Sequence, residues 1–354
     1  MEKFEALFSG KKGKKDDEKP DSSKKETESV SDLEKATELK KEISEITQGR
    51  SLEDLELSDL QQVLDKYKQM ENALDISSEK KLEGSVQEQM DMAREVMGKE
   101  FFGFQEVKEA FGIEIKPEDI PEIPFGRVDL ERARELNQFL VLRADKAPDG
   151  KPLSLQKINE ILKGKVFDGS KLLYANDGEG GIKSDSWYRN EEFSKNETPR
   201  MAWALVSKEV ISNSTSKNYL QQTEELVNYI KNSVFKGKEI PEEYQEAIKE
   251  FEKEKDGIGK IISSDWQKAA EKLSNLKINR LARQNPAEVL YDIAIYFQNK
   301  GERILENKYS WTYSRGSDGE LVLVGRFDSD GAFVDRWRPG SSDGGIGVAF
   351  SRSL

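Results

Sequence analysis

Carboxylates are the side chains best able to do chemistry in this sequence, because its 354 residues include no cysteine and no histidine. Thiolate metal sites and imidazole catalysis are therefore excluded. Asp318, Asp328, Asp330 and Asp335 stand at the ends of predicted C-terminal strands. Two facing acids could hydrolyse a glycosidic bond. However, Asp before Gly, as at 318 and 330, is the pair that tight turns demand, so the sequence favours a turn role.

Oxygen ligands could also bind calcium, with Asp328, Asp330 and Asp343 as candidates. An EF-hand loop needs a ladder of acidic positions that ends in Glu at position twelve. A loop starting at Asp328 reaches Pro339 there, so we expect no metal site. The glycine-rich run 177–181 lacks the Gly-Lys-Ser/Thr ending of a phosphate-binding loop. We therefore expect no cofactor.

Aromatic and small polar residues near the C-terminus indicate a binding surface instead. Trp337 is flanked by Arg336, Arg338 and Pro339, and in this context we expect it to be exposed. Trp and Arg are the residue types that most often dominate interfaces. The predicted contact surface consists of Phe333, Asp335, Arg336, Trp337, Arg338, Ser341, Ser342 and Asp343. These residues favour a non-enzymatic ligand- or protein-binding protein, with a carboxylate-dependent, glycosidase-like hydrolase as the alternative.

The charge of the chain narrows the choice of partner. The formal net charge is −12 and the isoelectric point about 5.0. Nucleic-acid binding relies on clustered Lys and Arg, so we expect a protein or a small ligand as partner and no nucleic acid. The sequence contains neither the apolar core of a signal peptide nor a run long enough to span a membrane. Cytoplasmic localisation, with no membrane partner, is the resulting expectation.

Composition also divides the chain into segments. Hydrophobic and charged residues each make up 35%, which is too polar for one compact domain throughout. Residues 1–50 are predicted to be a disordered charged tail, 51–112 a helical segment and 113–126 a Pro-rich linker. Residues 127–354 are predicted to form an α+β module. A charged helical insertion at about 236–282 is expected to project from its core.

Local signals specify elements within this module. Asn285 precedes Pro286, and Glu288 occupies the third helical position, which predicts a capped helix. From Tyr309 onward the apolar period changes to two, with Asp- and Gly-containing turns between the runs. This pattern predicts an antiparallel meander of about four strands, the last at 346–350, packed on the preceding helix. The predicted fold class is α+β.

Several runs resemble a family of uncharacterised proteins from candidate-phylum and planctomycete-type bacteria. The matching runs lie at 97–112, 187–193, 203–206, 214–217, 301–307, 324–329 and 347–352. The C-terminus of that family looks like the variable proteins of diversity-generating retroelements. The resemblance implies a C-type-lectin-like fold, in which a constant scaffold presents randomised ligand-contacting positions, here within 337–345. Two departures are the apparent insertion at 236–282 and an ending that matches the lectin-like pattern only loosely.

Overall fold

The structure, a computed structural model, describes residues 85–163, 172–174 and 186–353, together with scattered positions between 38 and 69. The chain divides into two units, Met1–Ser77 and Ser78–Leu354. In the first unit every described position is α-helical, and Lys66 pairs with Glu42 at 2.5 Å. The tail predicted for 1–50 lies outside the described residues except at helical positions between 38 and 47, and the run 177–181 lies entirely outside them.

The second unit intersperses helices and strands along the chain. Its α-helices are α1 (Val86–Met97), α2 (Phe104–Phe111), α3 (Arg127–Glu135), α4 (Leu155–Ile161), α5 (Glu192–Asn196), α6 (Tyr219–Tyr229), α7 (Glu242–Ile261), α8 (Trp266–Asn275), α9 (Lys277–Ala282) and α10 (Pro286–Lys300). Its strands are β1 (Phe101–Phe102), β2 (Gln138–Arg143), β3 (Ala202–Ser207), β4 (Tyr309–Arg315), β5 (Leu321–Asp328), β6 (Gly331–Trp337), β7 (Ile346–Gly347) and β8 (Ser351–Ser353). This content confirms the predicted α+β class.

The first sheet contains β1, β2, β3 and β8 in that order. β1 runs parallel to β2, whereas β3 is antiparallel to both β2 and β8. Every residue of β2 and β3 is buried. Strands with this burial pattern must be covered on both faces, and the first sheet therefore lies inside the core.

The second sheet, in the order β6-β5-β4-β7, contains the predicted meander. β4, β5 and β6 are antiparallel neighbours, as predicted. The fourth strand differs, because β7 runs parallel to β4, with Tyr309 opposite Ile346. The loop before β7 brings the chain back to the start of β4, so that β7 begins beside Tyr309 and runs in the same direction as β4. The strand predicted at 346–350 covers only Ile346–Gly347. The chain then continues to β8 in the first sheet, so this segment connects the two sheets.

Helix α10 packs against both sheets, contacting β2 of the first and β5 of the second. Residues from Pro286 to Phe297 are buried on every side of the helix. The predicted cap is confirmed: the side chains of Asn285 and Glu288 each accept a hydrogen bond from the other's backbone N–H, both at 2.9 Å. This reciprocal arrangement satisfies two amides at the helix start. Gly301 ends the helix in the left-handed conformation, with φ 69°.

The segment 113–126, predicted to be a linker, is part of the core instead. Its buried apolar residues are Ile113, Ile120, Ile123 and Phe125. The indole N–H of Trp203 in β3 donates to the carbonyl of Pro121 at 2.9 Å. The prolines prevent a long helix or strand here, but they leave the neighbouring apolar side chains free to pack. The core cluster therefore continues from α1 through this segment into the sheets.

The helices of segment 236–282 also belong to the folded body rather than projecting from it. α7, α8 and α9 bury Tyr244, Leu273 and Ile278, respectively, in one apolar cluster with Trp311 and Leu323 of the second sheet. Charged pairs such as Lys272 with Glu254 lie on the outer side. The high charge content thus reflects amphipathic helices that cover a sheet. The expectation that this segment projects from the core is wrong, because the apolar faces of its helices pack on the second sheet.

Candidate binding surface

Strand β6 divides the predicted contact residues between two faces of the second sheet. Side chains alternate along a strand, so Phe333, Asp335 and Trp337 share one face while Arg336 shares the other with Val334. Trp337 packs against the helical cluster of α6 to α9, whereas Val334 packs into the cluster that contains α10. The eight predicted residues therefore do not form one continuous patch.

Trp337 is half-buried rather than exposed as predicted. Its indole N–H donates to Oδ2 of Asp335 at 3.2 Å, and the other oxygen of that carboxylate accepts from the backbone N–H of Arg336 at 2.8 Å. The carboxylate of Asp335 is thus occupied within its own strand. These two hydrogen bonds tie the side chains of Trp337 and Asp335 to each other and to the backbone at the end of β6.

Arg336 is held by acidic residues near the turn between β4 and β5. Its guanidinium lies 2.7 Å from Asp318 and 3.5 Å from Glu320, and 4.2 Å above the ring of Trp187. The indole N–H of Trp187 donates in turn to the carbonyl of Val334 at 3.3 Å. This packing assigns Arg336 to the scaffold beside the predicted surface.

Phe333 belongs to an aromatic stack that the sequence did not reveal. Tyr174 stacks on its ring with centroids 4.1 Å apart and an interplanar angle of 16°, and the guanidinium of Arg326 lies 5.0 Å from the ring centroid. Tyr174 is brought there because its backbone N–H donates to the carbonyl of Ala332 at 2.9 Å. With half of its surface exposed, Tyr174 extends the edge of the sheet with an accessible ring.

The backbone of loop 338–345 is held by residues outside the loop. Four of its carbonyls accept hydrogen bonds: Pro339 from Tyr219 N at 3.0 Å, Asp343 from Ser216 N at 3.0 Å, Gly344 from Lys308 Nζ at 2.7 Å and Gly345 from Tyr309 N at 2.8 Å. None of these contacts uses a side chain of the loop. The path of the chain is therefore set independently of most side-chain identities along it.

Most side chains of loop 338–345 point outward, although Pro339 is buried. Arg338, Ser342 and Asp343 are exposed, and Ser341 is half-buried. The guanidinium of Arg338 lies 4.9 Å from the ring centroid of Trp266 in α8. Oδ1 of Asp343 accepts from the backbone N–H of Gly345 at 2.7 Å, which stabilises the return of the chain towards β7. Four of the eight predicted residues thus form the accessible loop.

A second loop, 208–218, lies beside the first and was missed by the sequence analysis. Besides the contact from Ser216, Ile211 N donates to the carbonyl of Val348 at 2.9 Å. Gly347 fits closely here, because a Cβ at this position would lie 2.6 Å from that of Val210. Ser212 and Asn213 are exposed. The run of Ser, Asn and Thr after β3 was the available signal, but only the fold shows which loop it adjoins.

The acids proposed for hydrolysis act in turns or bind their own strand. Oδ1 of Asp318 accepts from Glu320 N at 3.0 Å, and Oδ1 of Asp328 accepts from Asp330 N at 2.8 Å. Such bonds are how Asp stabilises a turn. None of these contacts brings two carboxylates together across an open space. The turn role that the sequence favoured agrees with these contacts.

A buried group of charges lies between the first sheet and α10. The guanidinium of Arg143 contacts Asp292 at 2.5 and 3.2 Å and Glu288 at 3.2 Å, and Gln284 donates to Asp292 at 2.6 Å. Burial raises the pKa of Asp292 to about 6, opposed by the charge of Arg143. Burial alone would lower the pKa of Arg143, but the two carboxylates raise it above its ordinary value. The group joins β2 to α10 and is closed to solvent.

Among the cavities lined by described residues of the second unit are three with volumes of about 660, 540 and 400 Å³. The first is lined by residues near Gly112 and Lys146, and the other two flank residues 209–212. Glu288, Asp292 and the turn aspartates line none of the three. Within the described part of the chain, no group of three or more acidic residues is placed to hold a metal ion, and no helix is both long and apolar enough to cross a bilayer.

Comparison with known proteins identified no relative of this chain. No family model matches the sequence, no curated protein matches it, and no solved structure matches the fold.

Proposed function

We propose that this chain is a non-enzymatic binding protein whose contact surface is loop 338–345 with the adjoining loop 208–218. The observation that carries the proposal is that contacts from outside loop 338–345 hold its backbone, while most of its side chains remain accessible. Four loop carbonyls are held by external donors, while Arg338, Ser342 and Asp343 are exposed. A loop built in this way can present different side chains on a constant path, which suits recognition.

This arrangement also supports the family resemblance as a proposal. Variable proteins of diversity-generating retroelements need a scaffold that tolerates replacement of ligand-contacting side chains. Here the exposed positions are small or polar and lie between β6 and β7, both anchored in the second sheet. The resemblance implies randomised positions within 337–345. Because Trp337 is half-buried, we propose that they lie within 338–345. The proposed partner is a protein or a small ligand, with no role for nucleic acid.

The alternative, a carboxylate-dependent hydrolase, has less support. A glycosidase needs two carboxyl groups on either side of a space that admits substrate. The turn acids bond to nearby backbone amides. Glu288 and Asp292 do face one guanidinium, but they are buried within the core. Neither set places two carboxyl groups on either side of a space that is open to substrate.

Randomisation tests the proposed surface directly. A displayed library varied at Arg338, Ser341, Ser342 and Asp343 is expected to remain largely protease-resistant, because most exposed substitutions change stability by no more than about 0.5 kcal/mol. A matched library varied at the buried residues Trp311, Leu321, Leu323 and Ile346 is expected to lose the fold in most members. Equal loss in the two libraries would contradict the proposal.

A second experiment tests binding by the natural loop. The triple variant Arg338→Glu, Ser342→Arg, Asp343→Asn keeps an acceptor oxygen for the amide of Gly345. It is expected to keep the wild-type melting temperature and to lose a partner that the wild-type chain captures after cross-linking. The control variant Lys249→Glu, Lys253→Glu carries charge changes on exposed positions of α7 and is expected to retain that partner. Retention by the triple variant would place the contact elsewhere.

A further inference from the structure

Gln222 in α6 contacts loop 208–218 and the first residue of β7, which directly follows loop 338–345. Its side-chain Nε2 donates to the carbonyl of Lys217, in loop 208–218, and to the carbonyl of Ile346, directly after loop 338–345, both at 3.1 Å. The residue has no solvent-exposed surface. One buried amide therefore bridges two chain segments that are 129 positions apart in the sequence.

The other end of this side chain has no protein partner. Oε1 of Gln222 is buried without a hydrogen bond, and so is the indole N–H of Trp311 in β4. Tyr219 lies three residues before Gln222, on the same face of α6, and its ring packs 5.3 Å from that of Trp311. The unpartnered acceptor therefore lies one helical turn from Tyr219, whose ring packs on the indole that carries the unpartnered donor.

The orientation of the amide follows from its contacts. Turning it over would direct Oε1 towards two carbonyl oxygens, which repel it, so Nε2 must face the loops and Oε1 the interior. A buried polar group without a partner costs roughly 1–3 kcal/mol, and proteins usually satisfy such groups with an ordered water that makes two to four hydrogen bonds. The side chain of Gln222 therefore bonds to the carbonyls of Lys217 and Ile346 through Nε2, and its Oε1 requires a partner in the interior.

We propose that Gln222 is the positioning residue that holds loops 208–218 and 338–345 together as one contact surface, and that a buried water links its Oε1 to the indole N–H of Trp311. The water accepts from the indole and donates to Oε1, which holds the amide with both N–H groups towards the loops. Trp311 is thereby coupled to the loops although its side chain does not reach them. The proposal rests on the proposed function only in calling this pair of loops a contact surface.

Hydrogen exchange of individual amides distinguishes this role from a general structural one. Gln222→Met keeps the volume and removes both donors. The amide protons of Ser216, Tyr219 and Tyr309, which bond to loop 338–345, are expected to exchange at least tenfold faster in this variant. Amides of the β2–β3 ladder are expected to keep their wild-type rates. Equal acceleration at both places would show that Gln222 supports only global stability and would overturn the proposal.

Thr223→Val is the matched control on the same helix. Thr223 is also fully buried and hydrogen-bonded, but its hydroxyl contacts Tyr219, Asn279 and Arg283 rather than loop carbonyls. In this variant, the exchange rates of the three amides are expected to change, relative to wild type, by no more than those of the β2–β3 ladder amides. A loop-specific acceleration here would show that any polar deletion in α6 releases the loops, which would also overturn the assignment to Gln222.

A high-resolution crystal structure tests the water. A single ordered water within hydrogen-bonding distance of both Gln222 Oε1 and Trp311 Nε1 is expected, and it should be absent from Trp311→Phe. A dry interior in the wild-type protein would overturn this part of the proposal. These measurements use no binding partner, so their failure is distinguishable from failure of the proposed function, which the library and cross-linking experiments test separately.

Discussion

Replacement of Arg143 by methionine should destabilise this fold more than almost any other single charge removal. The side chain is 2% exposed and its guanidinium contacts Asp292, Glu288 and the hydroxyl of Ser351. Methionine restores most of the volume but leaves two buried carboxylates without their cation. Breaking a buried pair in this way costs about 3–5 kcal/mol, and we expect a loss in that range.

Urea denaturation followed by tryptophan fluorescence measures the effect. Arg94→Met is the control, because Arg94 also pairs with a carboxylate, that of Glu106 at 3.0 Å, but its side chain is 45% exposed; an exposed pair contributes at most about 1 kcal/mol. Adding Asp292→Leu to Arg143→Met should recover part of the loss by removing an uncompensated charge. The reasoning is refuted if Arg143→Met costs no more than Arg94→Met, or if the double variant is less stable than the single one.

Two further predictions concern backbone geometry and pH. Gly325→Ala should lower the free energy of unfolding by about 3 kcal/mol, because Gly325 has φ 151° and a Cβ there would lie 2.3 Å from the carbonyl oxygen of Lys308; a change below about 1 kcal/mol in chemical denaturation would contradict this. Burial raises the pKa of Glu197, against the hydrogen bond from Ser314. The native state then favours the protonated acid, so the stabilisation by this group is complete below the ordinary pKa of 4.5 and is lost as pH rises through the raised pKa. Glu197→Gln should flatten the decline in melting temperature over that range, and an unchanged pH profile would count against the assignment.

Signals carried by neighbouring residues were sufficient for much of the architecture. The start of α10 follows from Asn285, Pro286 and Glu288, because a capping box needs only residues three positions apart. The antiparallel pairing of β4 to β6 follows from alternating side chains and from the Asp- and Gly-containing turns between them. The outward position of loop 338–345 follows in the same way, because its residues lack any apolar period.

Contacts between distant parts of the chain determined what the sequence left open or mispredicted. Arg143 meets Asp292 across 149 positions, and no local pattern marks that pair. The amphipathic pattern in 236–282 does not identify the sheet against which these helices pack.

The site shows the same division between local and tertiary information. Composition marks Trp337 as a candidate contact residue, but its half-buried state depends on α6 to α9, which pack over that face of β6. The sequence by itself determined that a polar, Gly- and Ser-rich loop lies outside the core, since few of its side chains could stabilise the core by burial. Only the tertiary structure decided that donors from Ser216, Tyr219, Lys308 and Tyr309 hold its backbone, because hydrogen-bond partners far apart in sequence are brought together by the packing of whole elements.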